Sequence, residues 1–183
     1  MIDLTKKALP NTVTVDGTAF SIYTDFRLWM RFEIEAERMK PGDSIEIGYL
    51  FKNERPAQCD IRDLFAFSRP HSELPRPSGR ESGVKALDYR LDADLIYAAF
   101  LGQYGIDLIE TDMHWHKFLA LLSGINDSTK LQNVIQIRCY KRDSRKDVDH
   151  REELKRLWEI EPELSEEEEA ELEEFSNIFI PKE

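Results

Sequence analysis

A chain of 183 residues with 41% hydrophobic side chains can bury one sizeable core, or one core with a tail. Its 36 acidic residues against 25 lysines and arginines give a formal net charge of −11, which argues against a surface built to grip phosphate and so against most nucleic-acid binders. No apolar run approaches the roughly 18 residues that span a bilayer, and MIDLTKKALPNT at the N-terminus has no apolar stretch behind its lysines, so neither a membrane span nor a signal peptide is expected.

The first predicted element is a hairpin. Thr12-Val13-Thr14-Val15 alternates, Asp16-Gly17 is a two-residue turn signal, and Thr18 to Tyr23 resumes the alternation. A hairpin is marginal alone, so the helix that follows is its expected support. That helix starts at the N-caps Thr24 or Asp25 and runs to about Arg38, with Phe26, Trp29, Met30, Phe32 and Ile34 covering more than one face. Pro41-Gly42 ends it. Asp43-Ser44-Ile45-Glu46 reads as a capping box that opens a short helix to about Lys52. A further helix is expected from about Ala57 to Ser68, with Ile61, Leu64, Phe65 and Ser68 on one stripe.

Residues 70–87 read as a linker or exposed loop, because Pro70 to Val84 holds three prolines, two glycines and almost no large apolar residue. Residues 88–140 then predict a three-helix unit. Its first helix, about Leu91 to Tyr104, carries Leu91, Leu95, Ala98 and Ala99 on one stripe and Ile96 with Phe100 on a second; Gly105 fits the position after it. The next is capped by Thr111 or Asp112 and places Trp115, Phe118, Leu119 and Leu122 at the spacing of one buried face. The third is capped by Ser128 and aligns Leu131, Val134, Ile135 and Arg138. Residues 141–183 form an acidic helical tail: one helix from about Asp149 to Glu159, then a second capping box at Ser165 to Glu168 in a stretch, Glu161 to Glu174, that holds no basic residue. The fold class is therefore mainly α: a small helical bundle with a short N-terminal hairpin and a C-terminal acidic helical extension.

Little here suggests chemistry. His114 and His116 stand at i and i+2, which on a helix directs them apart, so they read as a partly buried or surface pair and not as ligands of one metal. The carboxylates Asp88, Asp92, Asp94, Asp107, Glu110 and Asp112 fall near helix starts, where caps and solvated faces account for them. There is no phosphate loop, no nucleophile elbow and no zinc-protease motif. Cys59 and Cys139 read as reduced core thiols of an intracellular protein. No cofactor and no catalytic residue is expected.

One set of residues points further. Asp92-Ala93 with Ile96, Ala98-Ala99-Phe100, Tyr104-Gly105-Ile106-Asp107-Leu108, His114-Trp115 with Phe118, Ala120-Leu121-Leu122, Ile135 and Ile137-Arg138 occur in an order and spacing that resemble the tailed-phage family labelled by gene product fifteen, found in phages and prophages of Gram-positive hosts. The resemblance is firmest from Asp88 to Arg138; His116 departs from it, since a second aromatic is common there. The family's usual gene position, just before the tape measure gene, implies similarity to tail assembly chaperones. Such proteins are not enzymes; they coat the tape measure protein in the host cytoplasm, help recruit tail tube subunits and leave before the virion is complete. On that reading Trp115, Phe118 and Leu122, with Phe100 and Tyr104, are the candidate partner-binding residues, the partners are the tape measure protein, tail tube protein and further copies of the chain, and neither nucleic acid nor membrane is bound. The alternative is a structural component retained in the tail or connector.

Overall fold

The computed structural model describes residues 2–40, 42–70, 84–141 and 150–160. Residues 71–83 of the linker expected at 70–87, and the second helix expected in the acidic tail, lie outside them. The described residues are mainly α-helical, with one two-stranded sheet.

Strands β1 (Thr12–Val15) and β2 (Thr18–Ser21) pair antiparallel, Val13 opposite Phe20 and Val15 opposite Thr18. Asp16 and Gly17 both take positive φ, 49° and 77°, which is the turn whose twist matches the strands it joins. Period-two alternation buries Val13 and Val15 and leaves Thr12 and Thr14 exposed. The chain then adds a third edge. Ile22 bridges Phe51, Tyr23 N–H donates to Leu50 O at 2.8 Å and Lys52 N–H to Ser21 O at 3.0 Å. This pairing explains why the helix expected from Asp43 to Lys52 does not form. Asp43 turns its carboxylate back to Lys40 N–H and Glu46 takes Gly48 N–H, so the reciprocal capping box is absent and only a 3-10 turn, Gly48–Leu50, remains.

Helix α1 (Phe26–Glu37) begins at Asp25, whose carboxylate accepts Arg27 N–H at 2.9 Å, and buries Phe26, Trp29 and Phe32. Helix α2 (Ile61–Ser68) is capped in the same way by Asp60 and buries Leu64, Phe67 and Ser68. Helix α3 (Ala93–Tyr104) buries Ile96, Ala99 and Phe100. Of the two stripes expected on it, the one with Ile96 and Phe100 faces inward; Leu91 stands 57% exposed. Gly105, at φ 66°, ends the helix in the left-handed region, where a side chain would cost about 1 kcal/mol.

Helix α4 (Trp115–Ser123) is capped by His114, not by Thr111 or Asp112, and α5 (Lys130–Arg138) by Thr129, not by Ser128. Helix α6 (His150–Trp158) packs on α5 and buries no residue fully. The two cysteines are free, but Cys139 is exposed at the end of α5 and Cys59 is half-buried ahead of α2, so neither is a fully buried core thiol.

One cluster of buried side chains runs from Val13 of the hairpin to Leu131 of α5. The hairpin, α1 and α2 thus share a core with α3, α4 and α5. At its centre Phe118 stacks on rings from three elements: Phe26 at 4.9 Å between centroids, Phe100 at 5.2 Å and Trp115 at 5.6 Å. Among the described residues no helix is long and apolar enough to cross a membrane.

Candidate protein-binding surface

The aromatic residues singled out by sequence are brought together, but inside the protein. Phe100 and Phe118 are 0% exposed and Trp115 is 1% exposed. Trp115 Nε1–H donates to Ser68 O at 2.7 Å, which fixes α4 to the end of α2. Tyr104 and Leu122 are half-buried against the same core, and Tyr104 O–H donates to Leu121 O at 2.8 Å. A groove built on Trp115, Phe118 and Phe100 is therefore not at the surface. Their helical spacing marked a buried face, and that face is filled by α1 and α3.

The histidine pair sits at the same junction. His114 precedes α4 in extended backbone, so the divergence expected of two helical residues does not arise, and the two rings lie 5.2 Å apart. His114 Nδ1 accepts His116 N–H at 3.0 Å, which leaves Nε2–H to donate to Pro10 O at 2.8 Å. His116 Nε2–H donates to Phe67 O at 2.8 Å and its ring stacks on Phe67. Its Nδ1 is buried without a hydrogen-bond partner. Burial lowers the pKa of both histidines, that of His116 to about 4, because a charged ring here would lose its water. Both rings are neutral struts between backbone segments. Among the described residues no group of three or more His, Cys, Asp or Glu is placed to hold a metal.

Sequence reading passed over Asp92 and Arg138 as a pair. Their side chains are 2% and 5% exposed and meet through two bonds, Nη1 to Oδ2 at 2.6 Å and Nη2 to Oδ1 at 2.9 Å. Asp92 also accepts Asp88 N–H at 2.9 Å. Arg138 donates further to Ala86 O at 3.2 Å and, through Nε, to Trp158 O at 2.7 Å. One guanidinium thus clasps the segment before α3, the start of α3 and the end of α6. A buried pair of this kind fixes geometry more than it adds stability, and removing one partner typically costs about 3–5 kcal/mol. The clue was an arginine on an otherwise apolar stripe of α5.

Exposed leucines occur in the segments that the clasp joins, two of them one turn apart on α6. Leu91 precedes Asp92 and is 57% exposed; Leu157 precedes Trp158 and is 78% exposed, with Leu154 one turn before it at 39%. Two further features lie elsewhere. A pocket of about 390 Å³ opens between α3, the start of α5 and the loop joining α4 to α5. Buried Ala99 and Leu131 line its depth with half-buried Leu95, and exposed Ala98, Asn126 and Lys130 stand at its mouth. The last feature is a loop, residues 107–112, that carries Ile109 at 76% exposure.

Residues 5–161 match the family described as Bacteriophage Gp15 protein. This chain belongs to the bacteriophage Gp15 protein family. The match takes in the hairpin and all six helices of the described structure, well beyond the stretch from Asp88 to Arg138 on which the resemblance was firmest. No match was found among curated proteins or among solved structures.

Proposed function

We propose that this Gp15 family protein is a tail assembly chaperone. It holds helical segments of the tape measure protein in the host cytoplasm while the tail is built, helps bring tail tube subunits to them, and catalyses no reaction. The observation that carries this reading is the leucine edge at the Arg138 clasp, in a protein whose family is a phage one. Leu154 and Leu157 offer an exposed apolar edge on one face of α6, a helix that buries no residue fully, and such an edge is the kind of surface on which the apolar face of an amphipathic helix docks. A tape measure protein is a long helix of that kind and would aggregate if left bare. A net charge of −11 supplies the self-repulsion that keeps such a complex dispersed.

The test is co-expression with the tape measure protein encoded by the same phage. The wild-type chain is expected to hold it in the soluble fraction, and the double substitution Leu154→Asp, Leu157→Asp is expected to lose that effect while keeping its helical circular dichroism. A tape measure protein no more soluble with the wild-type chain than without it overturns the proposal. Mass spectrometry of purified virions separates it from the alternative, since a chaperone is absent from the finished particle and a structural component is present.

A further inference from the structure

The loop at residues 107–112 is held as tightly as a helix. Asp107 accepts the backbone N–H groups of Ile109 at 2.8 Å and Glu110 at 3.4 Å, and its own carbonyl takes Thr111 N–H at 2.9 Å. Arg27 of α1 reaches over it and donates to the carbonyls of Leu108 and Ile109, both at 2.9 Å, and of Thr111 at 3.2 Å. Tyr97 O–H ties Asp107 to α3 at 3.1 Å. All this bonding presents one apolar side chain, Ile109, to solvent. An apolar group whose position is fixed in advance loses little conformational freedom on binding, which is how interface anchors gain affinity. Asp25, Asp107, Glu110 and Asp112 lie in or beside this loop with Arg27 bonded among them, so the knob is acidic at its base.

The pocket between α3 and α5 has the opposite character. Its depth is apolar, none of its lining residues is acidic, and Lys130 stands at its mouth. Gln103 shapes that mouth by donating to Gly124 O at 2.9 Å and accepting Asn126 N–H at 2.7 Å. Its volume of about 390 Å³ exceeds what one aliphatic side chain fills. Knob and pocket lie on different sides of α3. The loop hangs from Tyr97, whereas Leu95 and Ala99 are each two residues from Tyr97 and so roughly half a turn round the helix. A chain cannot insert its own knob, but a second copy can.

We propose that the Ile109 knob of one copy seats in the α3–α5 pocket of the next, so that the protein associates head to tail. The contact is heterologous: each copy that offers a knob leaves its pocket open, so the assembly grows as a chain or closes as a ring of several copies. The proposal stands on these two surfaces alone and does not depend on the tape measure reading.

Sedimentation velocity across a concentration series tests it. The wild-type protein is expected to show an average mass that rises with concentration past that of a dimer. Ile109→Ser removes the knob and Ala98→Arg fills the mouth of the pocket; both positions are exposed, and unchanged thermal melting verifies that each variant folds. Each variant alone is expected to associate at least about tenfold more weakly, the loss expected when one buried aliphatic contact is removed. Mixed together they restore one good knob and one good pocket, and so form a pair that grows no further. A wild-type protein that stays monomeric, stops at a symmetric dimer, or associates equally well with either substitution overturns the proposal, as does a mixture that forms no pair. A monomer that still solubilises the tape measure protein would sink this inference and leave the chaperone reading standing.

Discussion

Single side chains tie distant backbone together in this fold, and three ionisable groups among the described residues, His116, Asp92 and Arg138, are held dry. His116 is 4% exposed and neutral, bonded to Phe67 O and stacked on the Phe67 ring. Its pKa in the folded protein, about 4, lies below the ordinary value near 6.5 that it regains on unfolding. The unfolded chain therefore binds more protons between those two values, and stability falls as pH drops from about 6.5 toward 4 while staying flat above. The full difference amounts to roughly 3 kcal/mol. Urea unfolding at pH 7 and at pH 5.5 is expected to show the loss beginning in the wild-type protein, and His116→Gln is expected to reduce that step to the part His114 contributes, although it lowers stability at both values. Asp92 and Arg138 face the same cost of burial and meet it by pairing with each other through two bonds.

At the scale of elements, the sequence was most legible where one residue type has one dominant use. Asp16-Gly17 could only be a tight turn, Asp25 capped the aromatic helix as expected, and Gly105 stopped α3. It was least legible where several capping residues stand close together. Thr111 and Asp112 are both better caps than histidine by propensity, yet the loop from 107 to 112 is occupied with Arg27 and Asp107, and α4 starts two residues later at a cap that ordinary preference ranks low. The Asp43 to Glu46 box failed because Phe51 and Lys52 are drawn into extended pairing with the hairpin. Tertiary bonds from residues far along the chain decided both cases, and spacing carries no record of them. Three of the candidate binding residues, Phe100, Trp115 and Phe118, lie in the core for a related reason: Trp115 and Phe118 have the spacing of a buried face, and burial can be against another part of the same chain. Arg27 gives this level its test. Arg27→Ala removes three bonds to loop carbonyls, so hydrogen exchange at Ile109 to Asp112 is expected to speed at least about tenfold while α5 keeps its protection, with a global loss of about 2 kcal/mol.

For the whole molecule the governing fact is a single core. Residues 70–87 read as a linker or exposed loop, and Phe26 of α1, Phe100 of α3 and Phe118 of α4 form one stack between the segments on either side of it. Hydrophobic pattern reports that a face is buried and is silent about which segment buries it. Cooperative unfolding follows from the stack. Tryptophan fluorescence, reporting on Trp29 in one half and on Trp115 and Trp158 in the other, and circular dichroism are expected to trace the same urea transition. Phe118→Ala is expected to lower the stability of that one transition by about 3–5 kcal/mol without splitting it, because the void opens against three elements at once. Two separate steps in the variant would show that the halves hold together independently.

The starts of α1 and α4 are joined by an isolated bridge: Phe26 N–H donates to Met113 O at 2.9 Å and Trp115 N–H to Thr24 O at 2.7 Å. Each helix therefore borrows, for its first free amide, a carbonyl that belongs to the approach of the other. Neither bond can form before the chain has been made as far as Trp115, and until then the first amide of α1 is left to water, as first-turn amides usually are. The opening of the first helix and that of the fourth are in this way completed by the same event, the meeting of two segments far apart in the chain.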